Sequence, residues 1–134
     1  VQAGESMAEA KPVAAAAIRK AGATAEYFTD ERCHILELSN AADDPGASVA
    51  RARVEVGIST KKHRVAGTVE RYVMLEGHGT VHIADRDDQD VSPGDVVVIP
   101  AGVSQAISNT GDHDLVFLCI CTPRFEWDNY ESLE

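Results

Sequence analysis

Two stretches decide how this chain reads: Gly57-Ile-Ser-Thr-Lys-Lys-His63-Arg-Val65-Ala-Gly-Thr-Val-Glu70-Arg-Tyr72-Val-Met-Leu-Glu-Gly77 and Gly94-Asp-Val-Val-Val-Ile-Pro100-Ala-Gly102-Val-Ser-Gln105-Ala-Ile-Ser-Asn109. Both contain short apolar runs bounded by glycine or proline, the pattern of strands rather than helices. Residues two apart on a strand share a face. That groups Glu70 with Tyr72 and Met74, and Gln105 with Ile107 and Asn109. In a small antiparallel barrel both sets point inward and line one pocket. Gly77, Gly94 and Gly102 suit backbone angles closed to residues with a Cβ, and Pro100 stiffens the loop before Gln105.

Outward from these stretches the strand pattern continues, with further strands expected over Cys33–Leu38, Val49–Val56, Arg71–Leu75, Thr80–Ala84, Val96–Ile99, Gln105–Asn109 and Leu115–Cys121. Turn residues separate them, as in Asp43-Asp44-Pro45-Gly46, Ser92-Pro93-Gly94-Asp95 and Asn109-Thr110-Gly111-Asp112. The Ala-rich run Glu9–Lys20 suits a short helix or an arm. Val1–Ser6 precede Met7, which reads as the native start, and are set aside. The division expected is an N-terminal arm over 1–25, a barrel over 26–122 and an aromatic, acidic tail over 123–134. Phe125, Trp127 and Tyr130 fit a tail packed on the barrel or on a partner subunit.

At 134 residues the chain makes one domain. Its net charge of −10 opposes phosphate backbones and anionic membranes, so no nucleic-acid or membrane partner is expected. Much of that charge lies in solvated runs such as Asp85-Arg86-Asp87-Asp88. No apolar run approaches a membrane span. The three cysteines cannot all pair within one chain, and Cys119 and Cys121 sit two apart on one strand. A reducing compartment fits, and the expected location is the cytoplasm.

The two stretches resemble the paired motifs of the cupin family, G-x5-H-x-H-x(3,4)-E-x6-G and G-x5-P-x-G-x2-H-x3-N. Every fixed position is present except two: Val65 replaces the second histidine and Gln105 the last. The resemblance, carried by roughly Val49–Thr122, implies an all-β, jelly-roll-like double-stranded β-helix. It also implies a divalent metal held by imidazoles and a carboxylate. Transferred residue by residue, the ligands are His63, Glu70 and Gln105, for Mn, Fe, Ni or Zn, a weaker and harder set than three histidines. The bland reading of the same residues is a hydrogen-bonded polar cluster. Glu70 and Tyr72 are the candidate catalytic residues, since both face inward.

The function this implies is a small-molecule cupin, a metal-dependent isomerase, lyase or decarboxylase acting on an oxygenated organic acid, keto compound or sugar derivative. The alternatives are a metal-free ligand-binding or sensing cupin, and a non-haem metal dioxygenase. His34, His78, His82 and His113 have no motif position, and His82 is expected at the surface. Cys119 and Cys121 read as small apolar residues more readily than as soft-metal ligands. Arg51 and Arg53 share a face read as solvated, with a substrate-binding role if that face is interior. Lys61 and Lys62 lie at the barrel mouth, placed to steer an anion. A homodimer is expected, with Val73 and Val81 as outer apolar surface.

Overall fold

The computed structural model describes residue 13 and residues 15–134. Its strands run in chain order β1 (Tyr27–Phe28), β2 (His34–Ser39), β3 (Ser48–Val54), β4 (His63–Val65), β5 (Val69–Glu76), β6 (Gly79–Ile83), β7 (Gln89–Val91), β8 (Val96–Ile99), β9 (Gln105–Asn109), β10 (Leu115–Thr122) and β11 (Tyr130–Ser132). The seven expected strands all form, with bounds moved by a residue or two. Strands β1, β4, β7 and β11 are additional, each only two or three residues long. The expected helix over Glu9–Lys20 falls partly outside the described residues. From residue 15 to 20 the chain is not helical, and the first regular feature is a short 3-10 turn at Ala21–Ala23. Val1–Ser6 and Met7 lie outside the described residues.

Two sheets face each other, in the orders β1-β2-β3-β10-β5-β8 and β11-β4-β9-β6-β7. The pairings β3 with β10, β4 with β9, β5 with β8 and β6 with β7 are nested and antiparallel. The chain is therefore one long hairpin, rolled so that successive pairs fall alternately in the two sheets, which is the jelly-roll expected from the motifs. Its tip is the acidic, exposed turn Asp85–Asp88, where Arg86 N–H donates to the Ile83 carbonyl at 2.9 Å. At the β5–β6 turn, Gly77 has φ of +82°, and a Cβ there would lie 2.6 Å from the Asp114 carbonyl oxygen. Only glycine meets both demands.

The core between the sheets is aliphatic with few rings: Val54, Met74, Ile99, Ile107, Leu115 and Phe117 are almost fully buried. Burying each such side chain is worth about 1.5–3 kcal/mol. Val81, expected on the outside, belongs to this core at 5% exposure. Its strand β6 pairs with β9 so that Val81 lies across from Ile107, and the inward face of β6 is the one that carries Gly79 and Val81. Val73 keeps an outward, half-buried place on β5. Arg51 and Arg53 are also on the outer face, opposite buried Ala52 and Val54, so neither reaches the interior. Arg53 is held there by Glu26 at 2.6 Å and Asp114 at 3.1 Å.

Asn109, the last motif position, is structural. Its amide donates to the carbonyls of Val54 at 2.9 Å and His113 at 2.8 Å, and its oxygen accepts from Gly111 N–H at 3.0 Å. The residue ties β9 to the end of β3 and closes the turn before β10.

Candidate active site

The long hairpin brings both motifs to one place. Glu70 and Tyr72 project from β5, where they pair in register with Cys121 and Cys119 of β10 in the same sheet. His63 projects from β4 and is the cross-strand partner of Gln105 on β9, in the opposing sheet. All four side chains are buried, with His63 at 5%, Glu70 at 8%, Tyr72 at 3% and Gln105 at 1% exposure. His63, Glu70 and Tyr72 line a cavity of about 60 Å³ together with Glu31, Glu37 and the tail aromatics Trp127 and Tyr130. All three cysteines line it as well, unpaired.

A hydrogen-bond chain crosses the site. The Tyr72 hydroxyl donates to Gln105 Oε1, and Gln105 Nε2 donates to Glu70 Oε1 at 2.8 Å. The amide of Gln105 is thus oriented from both ends. A histidine at this position would offer Tyr72 and Glu70 one ring nitrogen each; glutamine links them as acceptor and donor in one planar group. Burial pushes the Glu70 carboxyl above its ordinary range, partly offset by the Gln105 hydrogen bond and by His63. Burial likewise pushes Tyr72 well up, with the Glu70 charge adding to it, so this hydroxyl keeps its proton.

His63 has a defined tautomer. Its Nδ1 lies 2.8 Å from the Lys61 carbonyl oxygen, which can only accept, so Nδ1 carries a hydrogen and Nε2 is the ring nitrogen left for a ligand. Nε2 makes no protein hydrogen bond among the described residues. The ring stacks on Tyr130 with centroids 4.9 Å apart.

Glu31 is the site residue that the motifs do not signal. It sits in the turn before β2, lines the cavity, and has Oε2 3.7 Å from His63 Nδ1. Burial pushes its carboxyl up to about 7, opposed by a hydrogen bond from Tyr130. Nothing local in Thr29-Asp30-Glu31-Arg32 marks it; the tie to the site is the Lys61 N–H, which donates to the Glu31 carbonyl at 3.1 Å two residues before His63.

The other candidates lie elsewhere. His34 pairs with Glu55 at 2.7 Å, His82 with Asp88 at 2.9 Å and His113 with Asp112 at 2.7 Å, all outside the cavity, and His78 is exposed. The Lys61 carbonyl holds His63 and the Lys62 N–H is taken by the Glu134 carboxylate, while neither lysine side chain lines the cavity. No Lys or Arg is among its lining residues. Burial raises the thiol of Cys119 well above its ordinary value and that of Cys121 to about 12, which keeps both as neutral thiols.

The chain belongs to the cupin family: the Cupin domain profile matches residues 50–121. It is 34% identical over 110 residues to an uncharacterized protein of Methanocaldococcus jannaschii, covering 81% of this chain and 87% of that one. It is 33% identical over 90 residues to the oxalate-binding protein of Thermotoga maritima, covering 67% and 73%. Its structure is similar to that of a predicted oxalate decarboxylase from Thermotoga maritima, with TM-score 0.70 and 24% identity over 80% of this chain and 99% of that one. The likeness at that identity concerns the fold.

The residues present fit a hard divalent ion with water completing its shell. His63 Nε2 is the free nitrogen and a backbone carbonyl orients the ring, the usual arrangement behind a metal-bound histidine. Glu70 keeps one oxygen outside the Gln105 bond. Among the described residues no three His, Cys, Asp or Glu side chains gather closely enough to hold an ion by themselves. A third donor would have to come from elsewhere, and the motif position for it is Gln105, whose Oε1 already accepts from Tyr72.

Proposed function

We propose that this cupin is a small-molecule enzyme of the isomerase, lyase or decarboxylase type, in which Glu70 exchanges a proton with a carbon next to a carbonyl group. The observation that carries this reading is the Tyr72–Gln105–Glu70 chain: it fixes one oxygen of a buried, cavity-lining carboxyl whose proton affinity is raised. A carboxyl with raised proton affinity is suited to general acid–base work near neutral pH. Tyr72 acts in this scheme as a positioning residue, because its proton is committed to Gln105. His63, with Nε2 free, accepts a hydrogen bond from a substrate hydroxyl and orients it.

A divalent ion bound by His63, Glu70 and Gln105 would supply Lewis-acid polarisation of the carbonyl. Such an ion would hold Glu70 ionised, as a ligand and not as a proton carrier. The cavity, about 60 Å³ in volume, takes a ligand of few non-hydrogen atoms, which favours a short keto compound or organic acid over a sugar derivative. Loss of two motif histidines places dioxygen activation behind these reactions, since that chemistry relies on two histidines and a carboxylate.

A second reading, ligand binding without turnover, is favoured by the similarity to a protein named for binding oxalate. The test is turnover of a panel of small carbonyl compounds and hydroxy acids by wild type and Glu70→Gln, with metal content measured on the same preparations. Turnover that falls about 10²–10⁴-fold in the variant supports the enzyme. Saturable binding with no turnover by the wild type supports the second reading.

A further inference from the structure

Part of the cavity wall comes from outside the cupin motifs. Trp127 and Tyr130 lie beyond the matched residues 50–121, yet both line the cavity. The chain holds them there by building the tail into the fold. Strand β11 pairs with β4 so that Tyr130 is opposite Val65 and Ser132 opposite His63. Asn129 accepts from Ala66 N–H at 2.9 Å, Leu133 N–H donates to the Lys62 carbonyl at 2.9 Å, and Arg64 reaches Glu131 at 2.7 Å.

On this frame the rings form a continuous row. Phe125 meets Trp127 edge-on at 4.9 Å, Trp127 meets Tyr130 at 5.2 Å, and Tyr130 stacks on His63 at 4.9 Å. Trp127 is 47% exposed, so it stands at the rim with one side on the cavity and the other on solvent. Tyr130 is held from within by its stacking on His63 and its pairing opposite Val65. Rigid rings fixed at a rim set the size of what passes more sharply than flexible aliphatic chains do.

We propose that Trp127 and Tyr130 are the specificity-determining residues of this site: the C-terminal segment, a 3-10 turn at Trp127–Asn129 followed by β11, caps the cavity with them and limits its ligands to a few non-hydrogen atoms. The proposal rests on the functional reading for there being a ligand beside Glu70. Its test reads space and not turnover, so the two fail separately.

All three cysteines of the chain are free and line the cavity, so their modification reports what enters it. The probes are the uncharged methyl, propyl and benzyl methanethiosulfonates, followed by intact mass. The cysteine sulfur attacks the reagent's thio sulfur, a mixed disulfide forms, the thiol proton goes to solvent and methanesulfinate leaves. Raised thiol pKa slows every reagent alike, so the methyl-to-benzyl rate ratio, normalised to glutathione, is the readout.

The wild type should favour the methyl reagent by about 100-fold, and Trp127→Ala and Tyr130→Ala should each lower that ratio by about tenfold. Tyr130→Phe keeps the ring and should keep the ratio. Thermal unfolding identifies any variant that has lost its fold, and Trp127→Leu and Tyr130→Leu then replace it. Glu70→Gln should retain the wild-type ratio whether or not it abolishes turnover. A wild-type ratio equal to that of glutathione would overturn the proposal, as would a ratio that neither position changes.

Discussion

Gln105 Nε2 donates to Glu70 Oε1 at 2.8 Å, and with the Tyr72–Gln105 bond this joins the two motifs across the facing sheets. Because both groups are buried, removing the amide leaves the Glu70 oxygen and the Tyr72 hydroxyl without partners. Gln105→Leu should therefore destabilise the protein by about 1–3 kcal/mol in denaturant unfolding. It should also raise the Glu70 pKa further, since the Gln105 bond is what holds it down.

The same position governs metal affinity. Gln105→His returns one imidazole to the donor set of His63 and Glu70, and Zn²⁺ or Ni²⁺ binding measured by calorimetry should tighten by at least about tenfold. His63→Ala in that background should abolish it.

Glu31 gives stability a pH dependence of known sign. Its folded-state pKa of about 7 lies above the ordinary 4.5, so the folded state binds the proton more tightly than the unfolded one. The stability associated with the neutral carboxyl is fully present below about pH 4.5 and is lost as pH rises through about 7. The loss is on the order of 3 kcal/mol at 1.36 kcal/mol per unit. Denaturant unfolding across that window should show wild type weakening relative to Glu31→Gln, with the difference level above about pH 8.

Val96 and Val98 stand 55% and 58% exposed on β8, the free edge of its sheet. This edge, rather than Val81, is where a second copy would pair. Sedimentation should give a dimer for wild type and a monomer for Val96→Lys/Val98→Lys.

Strands and their shared faces are legible in the sequence because alternation and turn glycines are local properties, while the jelly-roll and the grouping of His63, Glu70 and Gln105 are legible through the resemblance to the paired cupin motifs. What the sequence does not show depends on sheet assignment. Val81 is read outward or inward only once β6 is known to pair with β9. Strands β4 and β11 are three residues each, too short to show a period, and they place Tyr130 against His63. Glu31 belongs to no motif and is brought to His63 by a long-range backbone bond, Lys61 N–H to the Glu31 carbonyl. The residues that shape the cavity's far wall thus come from segments whose composition resembles ordinary loop and tail.

The most direct measurement of proton exchange at Glu70 is hydrogen–deuterium exchange at the carbon next to the carbonyl in small keto compounds such as pyruvate and hydroxyacetone, followed by NMR in D₂O. The wild type should catalyse this exchange and folded Glu70→Gln should be slower by about 100-fold or more. Exchange that persists undiminished in Glu70→Gln, or no exchange above the buffer rate with any compound tried, would contradict the account.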